Sequence, residues 1–414
     1  MLPLNYMNLS NYSTKLIYPL QGAIQHYAWG GYRFLPYLLG TPNEDQQPFA
    51  EYWMGAHPGG ESKVMLDPYH ATGLSSWIGV DPASILGEQV LESFGPRLPY
   101  LFKVLDVRKM LSIQAHPTKS AAEAGFKREN ELGIPLQAAF RNYKDDNHKP
   151  EIMVALSDFW LLHGFRQVSD IRQVLEEIPE WADLIDTLDQ HGFRELYREI
   201  MEMPQAEIDR RLEPLSGRLE NALIAGRLHK SMPDYWAAWA FRDYTTPEGY
   251  FDRGIFSIYF LNLVNVAPGQ GIFQGAGIPH AYLEGVNIEL MANSDNVFRG
   301  GLTPKHIDVY ELIQNLVFDP ITPQLTEGAV VEEGLLRYVT PSPDFELWSL
   351  ELQQRQVYNA DPDTGPAIWL IIEGELILNE DQLYQQGSSF FVPAGVPWQG
   401  RATENTRLFR AGMP

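Results

Sequence analysis

Gly277-Ile278-Pro279-His280 and Gly395-Val396-Pro397-Trp398 are near copies of one another. Each ends a glycine-led apolar run, starting at Gly271 in the first and at Gly387 in the second. A strand closed by a Pro/Gly turn and used twice commits two separate parts of the chain to short strands and tight turns, because glycine and proline punctuate strands and stop helices. Ahead of the second copy, Ile371-Ile372-Glu373-Gly374-Glu375-Leu376 has the form of a hairpin, with apolar strand residues flanking a Glu-Gly turn. The copies differ where chemistry begins. An imidazole at position 280 can ligate a metal and an indole at 398 cannot, so only the first copy is a candidate metal site.

Around that first copy, Gly271 to Lys305 places His280, Glu289, Asp295, Arg299 and Lys305 among apolar, β-prone residues and glycines. Strand alternation gives His280 and Tyr282 one face, and Asn287, Glu289 and Met291 another common face. Glu284-Gly285 between them reads as a hairpin turn that sets the histidine and the glutamate on neighbouring antiparallel strands. A solvated sheet edge would carry similar charges. The Gly/Pro frame of His280 and the Ser294-Asp295-Asn296 loop leading to Arg299 are tighter and more polar than such an edge requires.

A chain of 414 residues exceeds what one core serves, which predicts two or three domains, and its 44% hydrophobic content supports globular cores. The net charge of −22 disfavours nucleic acid and anionic membranes as partners, though a few Arg and Lys in one cleft can still reverse the local field for a small anion. With no cysteine, any metal is held by His, carboxylate or amide oxygen. No long apolar run and no leader-like start is present, so the expectation is a cytoplasmic enzyme or binding protein. A small molecule is the expected partner and a monomer the expected state.

In chain order, residues up to about Thr14 read as a tail. Tyr27-Ala28-Trp29-Gly30-Gly31 follows an aromatic strand, and Trp29 is either core or a platform for a sugar ring. His57, at the end of a strand from Glu51, reads as structural. From Leu98 to Pro117 two strand-like halves flank the bend Asp106 to Lys109, and in the second half Ser112, Gln114 and His116 share one face. Gln-x-His on one strand face makes a two-ligand arm, although any exposed face shows the same alternation. Glu151 opens an apolar strand and needs a cation. Lys149 supplies one as a salt bridge; a metal shared with Gln114 and His116 is the alternative. From 157 to 254 the pattern is helical, with Ser169 or Asp170 capping the first helix and no catalytic signal. Strand character returns from Gly254 to Val266. Thr303-Pro304 reads as the start of a helix through Leu316, and a third block of short strands begins at 318.

Gln114, His116, Glu151 and His280 together offer two imidazoles, a carboxylate and an amide oxygen, a set that suits a divalent ion of the zinc type. With their flanks they resemble the type I mannose-6-phosphate isomerases, zinc enzymes of the cupin superfamily. The likeness rests on Tyr27 to Gly30 (YAWG), Trp53 to Pro58 (WMGAHP), Leu111 to Pro117 (LSIQAHP), Asn142 to Glu151 (NYKDDNHKPE) and Pro279 to Lys305 (PHAYLEG through SDNVFRGGLTPK). It implies a mainly β fold: a cupin-type barrel (jelly roll) built from 1–156 and 255–317, a helical insertion at 157–254, and a second cupin-like barrel at 318–414.

The same resemblance implies one Zn²⁺ per chain on Gln114, His116, Glu151 and His280. It further implies a catalytic role for Arg299, and interconversion of mannose 6-phosphate and fructose 6-phosphate through a cis-enediol, feeding mannose and GDP-mannose metabolism. Ser112, Glu289, Lys305 and Trp29 are placed at the substrate. The proton carrier is Lys149 or Glu289, with Lys149 preferred because it neighbours Glu151. Leu290 and Gly300 depart from common family residues without removing a reactive group. Two other readings stay open: a different metal-dependent cupin enzyme, such as an iron or manganese dioxygenase or decarboxylase, and a non-catalytic sugar-phosphate-binding cupin.

Overall fold

The computed structural model describes residues 9–414. Its strands form antiparallel sheets of eleven, nine and four strands. The eleven-stranded sheet is organised by one long strand, His280–Ala292. The second half of that strand pairs with Tyr100–Val107 on one side and Glu151–Ala155 on the other. Its first half pairs with Ile113–Ala115 and Phe159–Phe165.

The hairpin expected at Glu284-Gly285 is therefore replaced by a bulge in a continuous strand, where the register against Phe159–Phe165 slips between Tyr282 and Glu284. Gly285 has a φ of 131°, and a Cβ there would lie 2.6 Å from the Phe159 ring, so the bend requires glycine. Continuation wins over a turn because partner strands flank both halves, and each residue that passes through gains ladder hydrogen bonds. The extra residue also decides which side chains meet. Plain alternation puts Tyr282 and Glu289 on opposite faces; with the bulge they share one interior, and the Tyr282 hydroxyl donates to Glu289 at 2.9 Å.

Helices run from Val168–Glu177 to Gly254–Phe260 and pack around Trp181, whose ring lies 4.5 Å from that of Phe256. The helical span is thus displaced at both ends from the expected 157–254. Phe159–Phe165 is a strand of the barrel, and Gly254–Phe260 is a helix where strand was expected, only Leu261–Val266 being strand. All seven residues of that helix are buried. A run that is apolar at every position but Ser257 carries no period to separate the two structures. Two caps also differ. Gln167, without a side-chain bond, stands before the first helix in place of Ser169 or Asp170, and the helix expected from Thr303 is Val309–Asn315, where Asp308 accepts the Glu311 N–H at 3.0 Å. Among the described residues no helix is long and apolar enough to cross a membrane.

Strands of the C-terminal block share the nine-stranded sheet with Tyr18–Gln21, Lys63–Asp67 and His70–Gly73, so the first 156 residues serve two sheets. Residues 1–8 of the expected tail lie outside the described residues; just beyond, the Tyr12 hydroxyl donates to Asp67 at 2.6 Å and ties the chain down before Thr14. The repeat survives as geometry. Gly277 and Gly395 take the same left-handed turn, with φ of 76° and 74°. Trp398 begins its strand as His280 begins its own, but its buried indole packs edge-on against Trp369 at 5.1 Å and Phe390 at 5.4 Å. An aromatic plug occupies the position that an imidazole holds in the first barrel.

Candidate metal centre and substrate cavity

Strand register assembles the polar cluster. His280 lies opposite Gln114, Gln114 opposite Arg299, and Glu151 opposite Gln274. His116 follows the strand Ile113–Ala115, while Glu151 and His280 each open a strand. The ligand atoms of His116, Glu151 and His280 lie within 4.8 Å of one another, and all three side chains are buried.

The hydrogen bonds of the two imidazoles determine what this cluster needs. Nδ1 of His116 lies 2.8 Å from the Asn296 carbonyl, and Nδ1 of His280 lies 2.9 Å from the Ile278 carbonyl. A carbonyl only accepts, so both Nδ1 atoms carry the proton and both Nε2 atoms present lone pairs. Those lone pairs face Glu151, at 3.4 Å from Oε1 and 3.3 Å from Oε2. Nε2 of His116 and Oε2 of Glu151 accordingly find no hydrogen-bond partner. Burial, helped by Lys149, holds His116 neutral, its pKa lowered from 6.5 to about 4. Burial opposes the charge on Glu151, yet the Lys149 ammonium at 2.9 Å more than reverses this, keeping the carboxylate well below its ordinary range.

Three buried lone-pair donors converging on one point fit a cation of the zinc class. The amide of Gln114 reaches the same point, its nitrogen 3.4 Å from His280 Nε2, and turning the amide over presents oxygen instead. His163, also held near 4 by burial, stands opposite His280 in register and turns Nε2 toward the Phe273 carbonyl at 3.3 Å, outside the cluster.

Gln114 also lines a cavity of about 640 Å³, within the size range of small-molecule sites. A larger cavity of about 850 Å³ lies elsewhere, between the N-terminal strands and the C-terminal barrel, but Asp67 is its one charged residue, so chemistry and not size marks the site. The cavity beside Gln114 carries Lys103, Lys109, Lys149, Arg299 and Lys305 against Glu51, Asp243 and Asp295, a local excess of cations in a strongly acidic chain. No described carboxylate pairs with Arg299 or Lys305. Burial lowers the pKa of both, and for Lys305 the nearby Arg299 adds to it. Two unpaired cations in one cleft are a receptor for an anion.

Ser112 and Trp29 line the same cavity, Trp29 stacked on Tyr27 with ring centres 5.9 Å apart. Glu289 does not line it. The Lys103 ammonium stands in front, 3.0 Å from Glu289 and 3.6 Å from Glu51, so Glu289 acts on the cavity through Lys103 and not by contact. Burial works against the charge of Lys103, and the surrounding glutamates hold it protonated nonetheless. A lysine in the middle of the apolar run Leu101-Phe102-Lys103-Val104-Leu105 was the available sequence signal for this pair. His57 is buried as expected of a structural residue, but its Nδ1 accepts from Gly59 N–H at 3.0 Å and its Nε2 faces Asp295 at 3.3 Å in the cavity wall. The helical insertion also contributes, contrary to its bland pattern: Asp243 pairs with Lys109 at 2.5 Å, and the Tyr244 hydroxyl donates to the Met110 carbonyl.

The sequence model of the family described as phosphomannose isomerase type I, catalytic domain, matches residues 17–168. Mannose-6-phosphate isomerase of Salmonella typhimurium is 37% identical over 385 residues, covering 91% of this chain and 94% of that protein. Mannose-6-phosphate isomerase of Homo sapiens is 33% identical over 430 residues, covering 95% and 98%. The crystal structure of mannose 6-phosphate isomerase from Salmonella typhimurium bound to substrate and zinc superposes with a TM-score of 0.84 at 36% identity, covering 96% of this chain and 99% of that one. Likeness of this extent along nearly the full length of both chains, around a shared fold, is membership: the chain belongs to the type I phosphomannose isomerase family.

Proposed function

We propose that the protein is a zinc-dependent aldose–ketose isomerase that interconverts mannose 6-phosphate and fructose 6-phosphate, with the metal on Gln114, His116, Glu151 and His280. Zinc, when bound, supplies a Lewis acid beside the sugar oxygens at C1 and C2. The remaining work belongs to side chains of the cavity. Arg299, in register with Gln114, aims a guanidinium at the oxygen where charge develops as the cis-enediol forms. Lys305, beyond the bend that follows the strand Phe298–Gly301, takes the phosphate. Trp29 and Ser112 orient the sugar, the indole against the ring and the hydroxyl as a donor.

Lys149 is the proposed proton carrier between C1 and C2, because it lines the cavity beside Glu151 whereas Glu289 is held behind Lys103. All these groups come from one chain, which supports a monomer as the working unit, and a charged sugar phosphate as substrate supports a cytoplasmic site of action. The observation that carries the reading is the placement of two unpaired cations in the cavity that Gln114 lines, with Gln114 in register with His280 of the converging His116, Glu151 and His280 donors.

In an assay coupled to fructose 6-phosphate, the zinc-loaded protein is expected to turn over mannose 6-phosphate, to lose activity on chelation and to regain it with zinc. Stoichiometric zinc without turnover would contradict the reading.

Arg299→Ala is expected to keep its zinc and lose roughly 10²–10³-fold in kcat, the scale for removing one donor aimed at developing charge. Arg299→Lys should recover only part of this, since an ammonium lacks the planar fork; near-normal kcat in the alanine variant removes Arg299 from the reaction.

The chelated protein is also expected to be acid-sensitive. His116 and His163 titrate at about 4 in the fold against the usual 6.5, so between those values the unfolded chain binds protons that the folded chain refuses. Stability present above pH 6.5 is lost as pH falls toward 4, and the lowered pKa of Glu151 adds a further loss in the same direction at lower pH. Calorimetry should show a thermal midpoint falling across that window; a midpoint that is flat or rises on acidification would contradict neutral burial.

A further inference from the structure

Asp252 belongs to the helical insertion, yet its carboxylate is spent on the loop that leads from Arg299 to Lys305. Oδ1 accepts the N–H of Leu302 at 2.8 Å and that of Gly254 at 2.7 Å, and Oδ2 accepts the N–H of Thr303 at 3.1 Å. No lysine or arginine side chain forms an ion pair with it among the described residues, so its charge is met by backbone donors. The loop it grips is under constraint. Leu302, a buried residue, sits at φ 53°, in the left-handed region that a branched side chain avoids. Beside it, Gly301 has φ 126°, and a Cβ there would collide with the Gly254 Cα, so insertion and loop touch backbone to backbone.

The grip is relayed toward the cavity, because the Thr303 hydroxyl accepts the backbone N–H of Lys305 at 3.1 Å. Arg299 needs no such help. It lies on the strand Phe298–Gly301 and is fixed by pairing with Gln114. The two cations of the cavity are thus held by different parts of the protein, Arg299 by the barrel and Lys305 by the insertion.

We propose that Asp252 is a positioning residue for phosphate binding: through Leu302, Thr303 and the Thr303 hydroxyl it sets where the Lys305 ammonium stands relative to Arg299. The proposal rests on the reading above in which Lys305 holds the substrate phosphate. It gives the helical insertion a part in substrate recognition, and it separates the phosphate end of the site from the reacting end.

Asp252→Asn keeps the shape but turns an N–H₂ group or a weaker, uncharged acceptor toward Thr303, and Thr303→Val removes the relay to Lys305 without touching Asp252. Both variants, as zinc-loaded full-length protein, are expected to raise KM for mannose 6-phosphate roughly tenfold, the scale of one lost hydrogen bond. In both, kcat should stay within about threefold of wild type and zinc content should be unchanged, and the inhibition constant of inorganic phosphate should rise by a similar factor. Unchanged KM and unchanged phosphate inhibition in both variants would overturn the proposal, as would a loss confined to kcat. Should Asp252→Asn fail to fold, Thr303→Val decides the matter by the same criteria. A wild-type protein with zinc but no isomerase activity would instead refute the functional reading itself.

Discussion

Two imidazole lone pairs directed at one buried carboxylate are the arrangement on which the rest of this structure depends. Each is fixed by a backbone carbonyl that takes the proton of the opposite ring nitrogen, Asn296 for His116 and Ile278 for His280. Neither neutral ring can carry its proton on Nε2, to donate to Glu151, without leaving a buried carbonyl facing the Nδ1 lone pair, a cost of order 1–3 kcal/mol for an unmet polar group. Lys149 relieves part of the charge at Oε1, 2.9 Å away, and leaves Oε2 without a hydrogen-bond partner. A divalent ion satisfies all of the donors together, so the same groups that are costly as a folded interior become a binding site with their geometry already set.

The fold serves that arrangement by placing strand ends, not strand middles, at one point. Glu151 and His280 open their strands, His116 follows the end of another, and the register of the short strand with Gln114 ties Arg299 to the same floor. The bulge at Gly285 lets one strand serve two neighbourhoods, imidazole at its start and the Glu289–Lys103 pair further along. The second barrel shows what the same turn does without a ligand: with Trp398 in place of a histidine, the interior closes on aromatic packing. One chain thus contains the same turn twice, once ending in a buried imidazole that faces a carboxylate and once in an indole packed among aromatic rings.

Much of the site was legible because its residues break local rules. A carboxylate opening an apolar strand at Glu151 and a histidine framed by Pro279 and Gly277 are expensive unless used, and such residues can be found without coordinates. What stayed hidden is equally physical. The course of the chain at Glu284-Gly285 depends on which strands flank it, and a Glu-Gly pair looks the same in a turn and in a bulge. Gly254 to Phe260 is apolar at every position but Ser257, so no period marked it as a helix. Asp243 and Asp252 read as ordinary charges of a helical domain; their roles arise only when the insertion docks on the barrel, a contact between residues far apart in the chain. Lys103 lay in plain view, a cation inside an apolar strand, and its partners Glu289 and Glu51 were separated from it by the folding of the sheet.

The most direct test of the account is X-ray absorption at the zinc edge of the purified, zinc-loaded protein. The arrangement predicts one zinc per chain in a shell of nitrogen and oxygen near 2.0–2.1 Å, with the multiple-scattering signature of two imidazoles. A shell with one imidazole or none, or zinc lost on dialysis from an otherwise folded protein, would contradict the claim that His116 and His280 point their lone pairs at a metal site.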